Sequence, residues 1–415
     1  MGTKTQKLSN VVDQIVEWQS VVVADGSTNT TAVAGRGYFI DTSAGTHTIN
    51  LPASPKIGDV IKVSVITAGN TLTIGRNGNN INGSATDLTT SVDGDMFELV
   101  YVNASEGWKT VGQINAATFI SATGGTVTTS GDFKIHTFTG DGCFVVSSLG
   151  NPLTPAAQRD TVDYLVVAGG GGGGYDQGGA GGAGGFRESK DSSLASPHTA
   201  SPLAATTGLT ITATTYPVTV GAGGAGRTSG PTSTGAARGS NSVFSTITSA
   251  GGGGGNGLNS ATVSPTGPGG SGAGGGGANA GTPFIGTGGS GNTPPTSPSQ
   301  GNPGGNGLSG PIDAGGGGGG AGGAGTTATT GGGPGGAGAT TSISGSPTIY
   351  AGGGGGASAT SCFGAGGPGG GGDGGSTTPS AATAGTANTG GGGGGGQLLG
   401  AAGGKGIVII RYKFQ

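Results

Sequence analysis

A chain of 415 residues with 105 glycines and only 8% charged side chains cannot be ordered throughout by an ordinary apolar core. Its formal charge of −3 and the lack of any Lys/Arg cluster exclude the basic stripe that a nucleic-acid or anionic-membrane partner requires. The bias is uneven, with 19 glycines in residues 1–163 and 86 in the remainder, so the chain has two physical regimes.

The polar start MGTKTQKLSN lacks the apolar stretch of a secretory signal, Gln6 breaks a myristoylation pattern, and no apolar run is long enough to span a bilayer. Assembly in a cytosol without membrane insertion is the expectation. Over residues 8–18, Leu8, Val11, Val12 and Ile15 fall at i, i+3, i+4 and i+7, which predicts a short amphipathic helix. Residues 1–22 are therefore read as an N-terminal helix and attachment segment.

Between residues 37 and 112 come β-prone runs about ten residues apart, YFIDT, HTINL, DVIKVSVI, NTLTIG and MFELVYV, separated by turn clusters such as RNGNN and VDGD. That cadence predicts a small antiparallel sandwich or barrel-like module over 23–115. A second β segment over 116–168 contains Phe133, Ile135 and Thr137 in alternation and a GDG turn before CFVV, the pattern of a hairpin.

The strand-like DYLVVA runs directly into the glycines of residues 169–174, and GKGIVIIRYKF closes the chain in the opposite order. These two boundary strands are expected to share one sheet, with residues 169–404 a long excursion between them and 405–415 the closing strand. Within the excursion a phrase recurs irregularly: a few β-prone residues, a small residue, then five or more glycines, as in VFSTITSAGGGGG, PIDAGGGGGG and PTIYAGGGGG.

A glycine run has only its N–H and C=O groups to interact with. Three outcomes compete. A flexible coil is favoured by the entropy glycine loses on ordering. Collagen is excluded because residues 315–320 followed by AGGAG do not keep a Gly-X-Y frame. Extended three-fold helices of polyproline-II geometry direct every backbone group outward and could satisfy one another side by side. The apolar, strand-like residues that bracket each run favour the packed helices over the coil, and the fold class read from the sequence is mainly β: a short N-terminal helix, small antiparallel β modules, and a C-terminal domain of packed polyglycine-II helices with loops.

The segment GYFIDTSAGTHTINLPASPKIGDVIKVSV, continued through NTLTIGRNGNNINGSATDL to ELVYVNASEGWKTV, resembles a module of tail-fibre proteins of tailed bacteriophages, including those of marine cyanobacteria. GGTVTTSGDFKIHTFTGDGCFVV, VDYLVVAGGGGGG and GKGIVIIRYKF resemble a glycine-rich domain that follows this module in phage proteins. The array is similar in kind, without residue-by-residue correspondence, to tip adhesins of T-even-like phages, in which loops between polyglycine helices contact the bacterial receptor. The resemblance implies a homotrimeric virion fibre, non-enzymatic, whose partners are other tail or fibre proteins and a bacterial surface receptor, an outer-membrane protein or a polysaccharide. A purely structural fibre or spacer, such as a head fibre or connector, is the competing expectation.

Other motifs carry nothing. The letters GAGGAG at Gly221, Gly223 and Gly226 match a dinucleotide fingerprint, but RTSGPTSTG follows where a helix is needed. Lys405 lacks the spacing and the Ser/Thr of a phosphate loop, and Asp176 and Asp373 lack a calcium repeat. His47, His136 and His198 are scattered singly, the acids Asp160, Asp163, Glu188 and Asp191 form no recognisable catalytic arrangement, and Cys143 and Cys362 form no disulfide framework. No cofactor, metal or catalytic group is expected. Aromatic and Arg side chains serve as anchors in binding surfaces, so Tyr175, Phe186, Arg187, Phe284, Ile285 and Phe363 are the candidate receptor-contact residues, with plugging of the glycine layers as the alternative role.

Overall fold

The computed structural model describes residues 16–111, 119–150, 154–228, 235–258, 267–278, 286–310, 312–376 and 381–415. They form two compact units. One comprises residues 1–119 and 150–159, the other residues 120–149 and 160–415. The chain is mainly β: among the described residues, helix is confined to one turn at Ala156–Arg159 and a 3-10 turn at Ser192–Leu194.

The first unit contains β1 (Glu17–Trp18), β2 (Val22–Val23), β3 (Asn29–Thr31), β4 (Arg36–Asp41), β5 (His47–Asn50), β6 (Val60–Thr67), β7 (Leu72–Gly75), β8 (Leu88–Thr90), β9 (Met96–Asn103) and β10 (Gly107–Thr110). The helix expected over 8–18 is corrected at its described end. Glu17 and Trp18 are extended and pair in parallel with Arg36 and Gly37 of β4, and residues 1–15 lie outside the described residues. The ring of Trp18 stacks on Phe39 at 4.3 Å, and a Cβ on Gly37 would meet that indole at 2.6 Å, so glycine there lets the two aromatics meet across the strands.

The antiparallel module is corrected as well. β3, β5 and β7 stack in parallel, as do β4 and β6, because successive strands alternate between two sheets and each turn of the winding adds one strand to each. Among the described residues of this unit, only β8, β9 and β10 add antiparallel pairs. A ten-residue cadence fits a meander and a coil equally. The coil shows instead in its corners: a Cβ on Gly45 would lie 2.5 Å from Gly26 N and one on Gly69 2.8 Å from Ser43 Cα, since successive corners sit directly on one another. Ile40, Ile49, Ile61, Val63, Leu72, Ile74, Leu99 and Trp108 fill the space between the sheets.

The second unit contains β11 (Ser121–Thr123), β12 (Thr126–Ser130), β13 (Phe133–Phe138), β14 (Gly142–Ser148), β15 (Thr161–Val167), β16 (Phe186–Ser189), β17 (Ala204–Ala205), β18 (Leu209–Thr210), β19 (Thr215–Thr219), β20 (Ser242–Phe244), β21 (Ile247–Ser249), β22 (Ala339–Thr341), β23 (Thr348–Tyr350) and β24 (Ile407–Lys413). β12 and β13 form a hairpin, whereas the turn after β13 carries the chain into a different sheet, with β14 between β11 and β19. The two boundary strands do pair: β15 and β24 run antiparallel from Asp163↔Arg411 to Val167↔Ile407. Phe144, Tyr164, Val166, Phe244, Val408 and Tyr412 form a core on one side of this pair, and Ile135, Leu165, Val167, Phe186, Ile407 and Ile409 a second on the other.

Beyond these two cores, the interior formed by the glycine runs contains almost no side chains. Within residues 169–174, Gly169 and Gly172 donate their N–H to Ser240 and Ala237, Gly170 and Gly173 to Gly404 and Ala401, and Gly171 and Gly174 to Gly182 and Gly179, at 2.8–3.1 Å. Their carbonyls accept, with the same period of three, from Gly252 and Gly255, from Gly224 and Arg227, and from Gly393 and Gly396. A chain with three residues per turn points successive amides at about 120° intervals, and here each direction meets a different neighbouring run. Six neighbours thus surround one run.

Residues 178–185 repeat the arrangement, with Gly181 N–H on Gly393, Gly182 on Gly253 and Ala183 on Gly319, while Gly354, Gly171 and Ser271 donate back. The close approach explains the composition. A Cβ on Gly171, Gly181, Gly318 or Gly353 would lie 2.0 Å from a carbonyl oxygen of a neighbouring run, so no other residue fits.

Candidate functional site

The runs alternate in direction. Residues 169–174 leave β15, turn at Tyr175, and return as 178–185 into β16. Residues 250–256 leave β21, residues 332–338 arrive at β22, 351–357 leave β23, and 400–406 arrive at β24. The lattice therefore has a sheet end, where the chain enters and leaves it, and a loop end. The bases of the loops are tied to one another by bridges Ala278↔Ser309, Leu308↔Ala314, Ala314↔Ser358 and Ser358↔Ser376.

At the loop end the turn after Gly174 is tight, with Asp176 and Gln177 both in the left-handed region at φ 55° and 44°. Leu258 N–H donates to Asp176 O and Gly277 N–H to Gln177 O, both within 3.0 Å. Burial, with the Asp313 carboxylate nearby, raises the Asp176 pKa above the usual carboxylate value. Tyr175 is half-buried there. Phe363 ends the loop after Ser358 and is 37% exposed, its position held by the bond from Gly332 N–H to Cys362 O at 2.8 Å.

Among the described residues, the most exposed apolar side chains of the loop end are Leu398 and Leu399, at 71% and 57%. They project from a three-residue turn between Gly396 and Gly400, so tight that a Cβ on Gly396 would lie 1.8 Å from Leu399 O. Sequence reading passed over this pair because QLLG has neither an aromatic nor a charge. The available signal was two consecutive Leu residues in a turn with no room to fold them inward.

Phe186 and Arg187 are corrected: they belong to the sheet end. Phe186 is 1% exposed and part of the core around Leu165 and Ile409, held by its own N–H on Gln300 O at 2.8 Å. Arg187 is half-buried, with Nη1 donating to Thr248 O at 3.4 Å. Phe284 and Ile285 lie outside the described residues. The structure thus places Tyr175 and Phe363 at the loop end and separates Phe186 and Arg187 from them.

The sheet end carries a buried polar cluster instead. Glu188 accepts from Ser201 N–H and Oγ at 2.9 and 2.6 Å and from Thr341 Oγ1 at 2.5 Å, and burial raises its pKa despite these bonds. Asp163 is fully buried, and burial pushes its pKa up to about 7, with the Asp191 carboxylate adding to the effect and the Asp191 N–H, Ser189 hydroxyl and Arg411 opposing it. Among the described residues no group of three or more His, Cys, Asp and Glu could hold a metal ion, and no helix is long and apolar enough to cross a membrane.

No curated protein matches this sequence. A family model described as a glycine-rich domain matches residues 147–413, which takes in the strand pair β15 and β24 and every glycine run between them. That match covers more than half of the chain, and the chain belongs to this glycine-rich-domain family.

Proposed function

We propose that this chain is a virion structural protein of a phage tail fibre and that the loop end of its glycine lattice is the host-binding surface. The virion assignment rests on the tail-fibre likeness of residues 37–111. The adhesive assignment rests on one observation: Leu398, Leu399 and Phe363 are exposed on a side-chain-free scaffold at the end opposite the strands that connect it to the rest of the chain.

A lattice bonded on six sides holds the turn between Gly396 and Gly400 in place, so little entropy is lost there on binding. Leaving two Leu side chains in water forfeits about 1.5–3 kcal/mol each relative to burial, which a folded chain recovers by covering them with a partner. Each contact is shallow, so attachment would draw on several copies per virion, as a trimeric fibre supplies.

The test uses purified full-length chain against virions that carry it. Excess chain should block their adsorption to the host, and Leu398→Ser/Leu399→Ser should abolish the block while melting within about 1 °C of the parent, because exposed positions are typically worth within ±0.5 kcal/mol. Antibody labelling of the chain on virions together with unimpaired adsorption would instead favour the spacer role.

A further inference from the structure

The sheet that carries β15 and β24 ends at β12, which pairs with β13 on one side and with no described strand on the other. Natural sheets guard such an edge with a charge, a proline or a bulge. β12 has none of these. Its sequence TVTTS is uncharged, and its register against β13 runs unbroken from Thr126↔Thr137 to Ser130↔Phe133. Its first four residues are exposed, Val127 at 46%.

The hairpin fixes which main-chain groups of β12 face outward. Its turn is Gly131 and Asp132, with Gly131 at φ 57°, and a two-residue turn of this kind closes on a hydrogen-bonded pair, here Ser130↔Phe133. Bonded and non-bonded pairs alternate along an antiparallel ladder. Thr126, Thr128 and Ser130 therefore direct their N–H and C=O to β13, while Val127 and Thr129 direct theirs away from it. The far side of β13 agrees: Asp132 O accepts from Phe414 N–H at 2.9 Å, which sets even-numbered residues of that strand toward β24 and odd-numbered ones toward β12.

We propose that β12 docks against β12 of a second copy of this chain, antiparallel about a twofold axis through Thr128, so that two sheets join edge to edge. The segment GTVTTSG over residues 125–131 reads nearly alike in both directions, as the self-complementary patch of a twofold contact must. The axis sets Val127 opposite the partner's Thr129, so outward-facing N–H and C=O groups meet their like, and each of the two symmetry-related pairs exchanges two bonds. Of the axes that do so, this one pairs all five residues. Thr128 meets the partner's Thr128 and Thr126 the partner's Ser130, hydroxyl pairs that favour cross-strand contact, and Gly125 and Gly131 carry no side chain to obstruct the approach. The contact is small beside the roughly 1,200 Å² that stable complexes bury, so it forms at high concentration or where copies are already held together. It lies in the second unit and rests on neither the virion reading nor the adhesive one.

Sedimentation velocity of the full chain over a dilution series tests this. The parent should show a concentration-dependent species of twice the mass of its dilute form. Val127→Pro removes an N–H that β13 does not use and should abolish that species. Thr128→Lys sets two lysines face to face and Thr128→Glu two glutamates, so each alone should associate several-fold more weakly. An equimolar mixture of the two should recover the doubled species, which also shows that both variants are folded. A parent whose mass does not change with concentration, or Thr128→Lys associating as the parent does, overturns the proposal. Loss of association in Val127→Pro without recovery in the mixture would assign the edge to a different strand and overturn the twofold pairing as well.

Discussion

Replacing Gly318 with Ala tests whether bare main chain is the solid interior of the second unit. A Cβ at this position would lie 2.0 Å from Gly181 O, where ordinary contact begins at 3.4 Å, so residues 178–185 would have to recede by about 1.4 Å. Gly181 accepts from Gly354 N at 3.0 Å and donates to Gly393 O at 2.9 Å, and a shift of that size takes both bonds beyond reach. Two buried bonds at about 1 kcal/mol each plus overpacking at about 1–3 kcal/mol give a loss of roughly 3–5 kcal/mol, a large part of a domain's stability. At about 2 °C per kcal/mol for a unit of this size, the melting temperature should fall by roughly 6–10 °C. Gly323→Ala is the control: its Cβ would find nothing nearer than 3.5 Å, and the stiffer unfolded chain should make it neutral or stabilising by up to about 1 kcal/mol. Differential scanning calorimetry of the three proteins decides. Equal melting of Gly318→Ala and the parent would refute the lattice as the source of stability.

Phe186→Ala should cost about 3–5 kcal/mol in urea unfolding, because the ring is enclosed by the core at the sheet end, whereas Arg187→Ala should stay below about 1 kcal/mol; similar values for the two would place Phe186 outside that core. Asp163 has its folded pKa raised to about 7 by burial, so its contribution is fully present below its unfolded value near 3.8 and is lost as pH rises through 7. Relative to Asp163→Asn, the parent should therefore lose up to about 4 kcal/mol between pH 4 and pH 8, at about 1.4 kcal/mol per pKa unit. The same comparison cancels the opposite trend from His198, whose depressed pKa withdraws stability as pH falls from 6.5 towards 4. A pH-independent difference between the two proteins would mean that Asp163 is not buried in its ionisable form.

The pairing of β15 with β24 was legible because each strand is a continuous apolar run flush against glycines, which leaves one arrangement that buries both. The partners of each run were not: Gly170 bonds to Gly404 and Gly171 to Gly182, and a glycine has no side chain to specify which neighbour it meets. At the N-terminus, Leu8, Val11, Val12 and Ile15 match a helical stripe and lie outside the described residues, while Glu17 and Trp18, at the end of the expected helix, are recruited by the edge of β4, a tertiary contact that a short local pattern does not show. Phe186 misled for a related reason. An aromatic isolated among small residues reads as an exposed anchor, yet FRES is a four-residue strand whose alternation is too brief to show which side is enclosed. Leu398 and Leu399 went unread because a doublet of aliphatic residues resembles core until the turn that ejects it is known.

An interior made of amide bonded to amide also has a different heat capacity from an oily one. Exposing apolar surface on unfolding raises heat capacity and exposing polar surface lowers it, so the stretch between Gly169 and Gly406 should give an unusually flat curve of stability against temperature. Apolar burial weakens on cooling; the glycine lattice relies little on that force, and a domain built this way keeps its shape in cold water.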